Sequence, residues 1–196
     1  MTEAKNNHLT EQESLRLITE MIQKAKNSYV ENGLGPLAWG ILITFCSLTT
    51  FVSIHWKIEL PFDIWLLAFL AIGPQVYFSR KIKEKRQFRA FEEQVMDWVW
   101  TTYGISILLA ITYMNLVTGK SSSSLLMILY GIPTFITGGV RKFPPMIIGG
   151  IICWLLAVVS MFTPTSTDML LMAVSAMAAW LIPGIILRRK YLKLTH

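Results

Sequence analysis

Apolar residues in this chain are concentrated in six segments, separated by short polar or charged connections. The segments span residues 36–54, 61–79, 98–117, 121–140, 144–162 and 169–187. A helix rises about 1.5 Å per residue, so each segment approaches the length of about 20 residues that crosses the hydrocarbon core of a bilayer. The pattern predicts an all-α membrane protein whose six transmembrane helices form three hairpins within residues 36–187.

A different apolar pattern precedes the first segment. Apolar side chains recur there at alternating intervals of three and four residues, the spacing of one helix face. They are Leu15, Ile18, Ile22, Ala25 and Tyr29. The spacing predicts a cytoplasmic amphipathic helix within residues 1–35. Its apolar face is expected to cover the inner membrane surface, the cytoplasmic ends of the bundle or a second copy of the chain.

Basic residues are distributed unevenly about the six segments. Of the 18 Lys and Arg residues, 16 precede the first segment or lie in the second connection, the fourth connection and the tail 188–196, and the other two are Lys57 and Lys120. Because Lys and Arg near a membrane segment resist translocation, the distribution predicts that both termini are cytoplasmic. The formal net charge of +6 is thereby explained by topology, and no direct binding of nucleic acid is predicted.

The second connection, residues 79–97, contains neither Gly nor Pro and is predicted to be helical. Its six bases are Arg80, Lys81, Lys83, Lys85, Arg86 and Arg89. Each base near an anionic lipid surface contributes about 1 kcal/mol of attraction. Together with Ile18 and Ile22 these bases form a predicted docking face. Its expected partners are anionic lipid headgroups or a cytoplasmic regulatory protein.

The predicted segments lack charged and titratable groups at their centres. No Asp, Glu, Lys, Arg or His lies there, although ion pumps, proton-coupled carriers and intramembrane proteases typically need such groups. The cysteines and histidines also lack metal-ligand spacing. The sequence therefore predicts a protein that is not an enzyme and has no catalytic residue, cofactor or metal site. Glu59, Asp63 and Asp168 are expected to be solvated at the outer surface.

Deep polar and aromatic residues are the candidates for a ligand site. Tyr130, Trp154 and Trp180 lie far inside their segments, where each N–H or O–H needs an internal partner or a ligand. Together with Thr134 they form a candidate cavity for a neutral or lipophilic molecule. Packing of the same side chains in the core is the competing interpretation.

A recurring pair of residues suggests an internal repeat. The first, third and fifth segments carry an early glycine, and the second, fourth and sixth carry Pro74, Pro133 and Pro183 ahead of basic residues. The pattern predicts three related hairpins with the same orientation.

The stretches LTEQESLRLITEMIQKAKNSY, PFDIWLL, MDWVW and YGIPTFITGG resemble a family of small, uncharacterised bacterial six-helix membrane proteins. Such proteins are often encoded near winged-helix regulators. The resemblance implies a place in the bacterial cytoplasmic membrane and a role in sensing or regulation.

Two functions are consistent with these features. In the first, the chain is a membrane sensor or regulatory scaffold with a cytoplasmic docking face. In the second, it is a small transporter or channel for a neutral or lipophilic solute. Small size and the absence of central charges favour the first, and the repeat and the deep aromatic residues favour the second. Formation of a homo-oligomer is left open.

Overall fold

The computed structural model describes residues 10, 15–16, 19, 33–59, 61–84, 91–118 and 122–195. The regular structure of these residues is helical, which confirms the predicted all-α class. The helices are α1 (Leu34–Trp56), α2 (Leu66–Glu84), α3 (Phe91–Tyr113), α4 (Ser123–Val140), α5 (Pro144–Ser160), α6 (Thr165–Ala176) and α7 (Ile182–Thr195). One π-helical turn, Met114–Thr118, extends α3, and another, Met177–Leu181, joins α6 to α7.

Several of these helices suit a bilayer. In the described part of the chain, four helices are long and apolar enough to cross a membrane: Leu34–Trp56, Glu93–Leu116, Ser123–Val140 and Thr165–Lys193. Two shorter apolar helices are Leu66–Tyr77 and Pro144–Ser160. Large apolar side chains such as Leu70, Leu116 and Phe162 are exposed on the helix surfaces, which is consistent with a membrane protein. Six crossings in three hairpins stay a prediction.

The helix α2 begins at Leu66, five residues after the start of the predicted second segment. A turn takes up the difference. Within it, an Asp63 carboxylate oxygen accepts the Trp65 backbone N–H at 3.0 Å, and the Asp63 carbonyl oxygen accepts the Leu66 N–H at 3.0 Å. These bonds use backbone groups that would otherwise be unpaired at a helix start.

Both helices next to the basic connection extend into it. The helix α2 continues past the predicted segment to Glu84, and α3 begins at Phe91, seven residues before its predicted start. The last described helix, α7, likewise continues to Thr195 through most of the predicted tail. These ends agree with the helical character that the sequence indicates for residues 79–97.

The centre of the fold is the helix formed by α6, the π-helical turn and α7, which lies between α1 and α5. Glycines permit the contact from both sides. A Cβ atom added at Gly40 of α1 would lie 2.6 Å from the Leu181 backbone nitrogen, and one at Gly149 of α5 would lie 2.6 Å from the Ala178 carbonyl oxygen. Small residues allow membrane helices to associate because their backbones approach closely.

Two further close contacts complete this core of α1, α4, α5, α6 and α7. Helix α4 lies along α5, and a Cβ atom at Gly138 would lie 2.6 Å from the Ile147 backbone nitrogen. Gly33, which precedes α1, has a left-handed φ of 68° and faces Gly184, whose carbonyl oxygen would be 2.8 Å from an added Cβ. A side chain at Gly33 would therefore be strained by its backbone conformation and blocked by α7.

The helices α2 and α3 lie outside this core. Among the described residues, the backbone of α2 comes close only to that of α1, and the backbone of α3 only to that of α4 apart from its own π-helical turn. The backbones of α2 and α3 do not come close to each other within that part of the chain, although the two helices are consecutive. We call α2 and α3 the peripheral pair.

The predicted repeat and the predicted N-terminal helix both stay predictions. Pro74 of the peripheral pair is exposed, whereas Pro133 and Pro183 are buried in the core, so the three prolines have different surroundings. In the N-terminal region, Thr19 is helical and its hydroxyl donates to the Leu15 carbonyl oxygen at 2.8 Å. Most of the predicted amphipathic helix lies outside the described residues.

Candidate ligand site in the helix core

Three of the four residues predicted to line a ligand cavity meet at the centre of the core. Tyr130 and Thr134 are one turn apart on α4, and Trp180 lies in the π-helical turn of the sixth apolar segment. None of the three is more than 5% exposed. The Tyr130 and Trp180 rings are in contact, with centroids 5.0 Å apart and an angle of 47° between their planes.

Two short chains of hydrogen bonds satisfy these side chains. The Trp180 indole N–H donates to Thr134 Oγ1 at 2.9 Å, and the Thr134 hydroxyl donates to the Tyr130 carbonyl oxygen at 2.7 Å. The Tyr130 hydroxyl bonds to that of Ser175, which donates to the Met172 carbonyl oxygen at 2.9 Å. Because each donor already has a protein acceptor, the group forms a closed polar network inside an apolar core.

The fourth predicted residue, Trp154, lies elsewhere. Its indole N–H donates to the Ile128 carbonyl oxygen at 3.3 Å, and its ring lies 5.3 Å from that of Phe135 between centroids. Gly131 makes room for it, since an added Cβ would be 2.6 Å from Trp154 Nε1. Ligand binding by these four residues stays a prediction, and the contacts described here are those of packing.

The two cysteines are both buried and free. The Cys153 thiol faces the Ser175 carbonyl oxygen at 3.6 Å, and the Cys46 thiol faces that of Ile64 at the same distance. In the described part of the chain, no group of three or more His, Cys, Asp or Glu side chains is arranged to hold a metal ion.

A second set of aromatic residues was not predicted as a site from the sequence. Trp39, Trp65, Trp100 and Tyr103 are half-buried and pack against the buried core cluster from α1, from the start of α2 and from α3. We call these four residues the aromatic layer. Trp100 and Tyr103 meet edge to face, with centroids 5.6 Å apart and planes at 89°. Trp39 donates its indole N–H to the Gln75 side chain on α2.

The sequence holds a signal for part of this layer. Trp98 and Trp100 are two residues apart, so they face nearly opposite sides of a helix. One of them must turn inwards if the other faces lipid. Trp98 is 74% exposed, whereas Trp100 packs on the core.

Asp168 corrects another expectation. It was expected to be solvated, like Glu59 and Asp63, which are exposed. Asp168 is instead 7% exposed at the first turn of α6, where its carboxylate accepts the Ser160 hydroxyl from the end of α5. A buried carboxylate needs such a donor because desolvation is otherwise unfavourable. Asp168 therefore ties together the ends of two core helices.

Comparison with known proteins adds no assignment. No protein-family model matches the chain, and no curated protein or solved structure matches it. The function must therefore be argued from the residues and their arrangement.

The predicted docking face is described only in part. Arg80, Lys81 and Lys83 lie in the last turns of α2. The remaining members, Ile18, Ile22, Lys85, Arg86 and Arg89, lie outside the described residues. Whether they join into one surface stays a prediction.

Proposed function

We propose that this chain is a non-enzymatic integral membrane protein that acts as a sensor or regulatory scaffold with a cytoplasmic docking face. One observation carries the proposal. The helix α2 runs without interruption from apolar residues at Leu66 to the basic residues Arg80, Lys81 and Lys83, and within the described residues its backbone comes close only to that of α1. A displacement of its apolar half against the core is transmitted along the helix to its basic half.

The proposal includes six crossings of the bacterial cytoplasmic membrane with both termini inside. The partition of Lys and Arg supports this orientation. Four helices of the described residues that are long and apolar enough to cross a membrane support the crossings. Cysteines introduced at Ser122 and Thr165 are expected to react with an impermeant reagent added to intact cells, and one at Gln87 is expected not to react. Labelling at Gln87 would contradict the orientation.

The charge of the docking face indicates which partners the protein would bind. Anionic lipid headgroups complement the bases of the connection, and a cytoplasmic protein with an acidic surface would complement the same charges. The resemblance to bacterial proteins encoded near winged-helix regulators points to regulation as the purpose of that contact. Direct binding of nucleic acid is not part of the proposal.

The closed network of the core supports the same role. The polar groups of Tyr130, Thr134 and Trp180 form hydrogen bonds with one another and with neighbouring protein atoms. A solute passing through the bundle would have to break these bonds. The core is therefore better suited to supporting the peripheral pair than to transporting a solute.

A site-specific photocrosslinker tests the docking face. With benzoylphenylalanine at Gln87, irradiation of intact cells is expected to give one discrete protein adduct, detected as a band of higher mass. Neutralising Lys83, Lys85 and Arg86 as Gln is expected to remove most of the adduct, because charge complementarity steers the partner.

The matched control changes the same number of charges elsewhere. Replacing Arg188, Arg189 and Lys190 with Gln is expected to leave the Gln87 adduct in place. An adduct that survives loss of the connection's bases and disappears with those of the tail would contradict the assignment of the docking face.

A small transporter or channel for a neutral or lipophilic solute is the second candidate. The π-helical turn Met177–Leu181 favours it, because single π-helical turns often occur at functional sites. Pro183 follows that turn, so the sixth apolar segment departs from a regular α-helix near its middle. Uptake of a neutral solute into vesicles containing the pure protein, and its loss on replacement of Trp180, would favour this function.

A further inference from the structure

The aromatic layer packs on the core beside a peripheral pair whose two helix backbones do not come close to each other in the described residues. In the part of the chain that the structure describes, α2 is attached through α1 and α3 through α4. The aromatic layer packs on the core from α1, from the start of α2 and from α3.

Two side chains of the aromatic layer have unused hydrogen-bond donors. The Trp100 indole N–H and the Tyr103 hydroxyl have no hydrogen-bond partner among the described residues. Tyr103 lies near the middle of the apolar helix Glu93–Leu116, where water is scarce. In an apolar environment an unpaired donor is unfavourable. The Tyr130 and Trp180 donors at the core centre are both paired with protein acceptors.

A glycine beside these donors is unexplained by protein packing. Gly104 is one turn after Trp100 and therefore shares its side of α3. No atom lies within 4 Å of a Cβ added at Gly104, whereas Gly40 and Gly149 in the core meet neighbouring backbone at 2.6 Å. Glycine inside a helix is less stable than alanine. An empty space over such a glycine suits the close approach of another molecule.

We propose that α3 carries a binding site for a neutral, flat, lipophilic molecule with a hydrogen-bond acceptor oxygen. The molecule lies over Gly104, packs against the Trp100 ring and accepts a hydrogen bond from the Tyr103 hydroxyl. It enters from the bilayer between α2 and α3. This inference deepens the proposed sensor function and rests on it, since occupancy would change the spacing of the helices that flank the basic connection.

The composition around the site determines the ligand class. Residues 98–116 of α3 and 66–77 of α2 contain no Asp, Glu, Lys, Arg or His. A charged ligand would therefore lack a counterion in a medium of low dielectric constant. Aromatic side chains favour flat ring systems, which stack on them or meet them edge to face. The unpaired donors favour a ligand that carries an acceptor, such as a ketone oxygen, over a ligand that is purely hydrocarbon.

A matched pair of probes tests the proposal on the full chain in lipid nanodiscs. Fluorenone and fluorene share one flat ring skeleton, but only fluorenone has a carbonyl oxygen. Fluorenone is expected to bind saturably and about threefold to tenfold more tightly than fluorene, the range given by one hydrogen bond. Equilibrium dialysis with each probe measures the two affinities.

Two variants locate the site. Tyr103→Phe is expected to remove the preference for fluorenone without changing the affinity for fluorene. Gly104→Leu fills the empty space and is expected to abolish saturable binding of both probes. The controls are Tyr113→Phe, an exposed tyrosine on α3, and Gly139→Leu, where a Cβ also meets nothing within 4 Å. Both controls are expected to bind as the unchanged protein does.

Equal affinity for the two probes would contradict the proposed site. So would an unchanged preference for fluorenone in Tyr103→Phe, or unchanged affinity for both probes in Gly104→Leu. The unfolding temperature of each variant is measured in parallel. If Gly104→Leu does not fold, the Tyr103→Phe comparison decides the result alone. Absence of the Gln87 adduct contradicts docking of a protein on this face and leaves the binding result intact, so the two failures are distinguishable.

Discussion

The core and the peripheral pair are both built from apolar helices, but most glycines of the core pack against neighbouring helices and the two glycines of the peripheral pair do not. In the core, Gly40 and Gly149 bring backbones into contact, and Tyr130 and Trp180 bond to protein partners. In the peripheral pair, no atom would lie within 4 Å of a Cβ added at Gly73 or at Gly104. Trp100 and Tyr103 on α3 keep their donors unused within the described residues.

This difference predicts that the core provides most of the stability and that the peripheral pair is displaced more easily. Close backbone packing gives the core many favourable contacts that are lost together if the helices separate. The peripheral pair has fewer such contacts, so its helices are displaced at lower free energy. A sensor needs both properties, because a displaced element must move against a fixed one.

The largest expected difference in stability comes from replacing a glycine with alanine in each of the two regions. Gly149→Ala places a methyl group 2.6 Å from the Ala178 carbonyl oxygen and is expected to destabilise the protein by about 1–3 kcal/mol through overpacking. Gly104→Ala adds a methyl group in open space and is expected to stabilise α3 by about 0.5–1 kcal/mol. Unfolding in detergent measures both changes, and a destabilising effect of the same size at both sites would contradict the comparison.

A smaller difference is expected from the two aspartates near helix starts. Asp168→Ala removes the buried acceptor of the Ser160 hydroxyl and is expected to destabilise the core by about 1.5–3 kcal/mol. Asp63→Ala removes an exposed acceptor at the start of α2 and is expected to cost about 0.5–1 kcal/mol. The two free energies of unfolding are measured side by side. Equal losses would show that burial does not distinguish the two carboxylates.

The tyrosines provide a third comparison. Tyr130→Phe removes a buried hydrogen bond to Ser175 and is expected to cost about 0.5–1.5 kcal/mol. Tyr103→Phe removes a hydroxyl with no partner in the described residues, so stability is expected to stay within about 0.5 kcal/mol of its original value. Denaturation midpoints measure the changes. A larger loss at Tyr103 would reveal a protein partner for its hydroxyl.

The smallest effect is expected at the contact between α1 and α2. Gln75→Leu removes the acceptor of the Trp39 indole N–H and is expected to lower global stability by less than about 1 kcal/mol. Its effect is local. Because Gln75 follows Pro74, its bond holds the basic half of α2 on α1, and hydrogen exchange near Tyr77 is expected to increase. Unchanged exchange there, or faster exchange in α5, would contradict this role.

The positions of most helices follow from the apolar segments, because an apolar segment shielded from water pairs its backbone groups by forming a helix. The segment 144–162 and the helix Pro144–Ser160 share their first residue, and 121–140 and Ser123–Val140 share their last. The sequence also identifies Tyr130 and Trp180 as deep aromatic residues. It does not reveal that both would be bonded to protein, since their partners Ser175 and Thr134 are more than 40 residues away.

The local sequence by itself determined that the chain forms long apolar helices, since hydrophobicity and helix length are properties of neighbouring residues. The tertiary structure decided which helices would meet. It placed α1 against the sixth apolar segment, made a π-helical turn at Met177–Leu181 and buried Asp168. It also turned Trp100 towards the core and Trp98 away from it. Each outcome depends on the fit between distant surfaces, which periodicity along one segment does not encode.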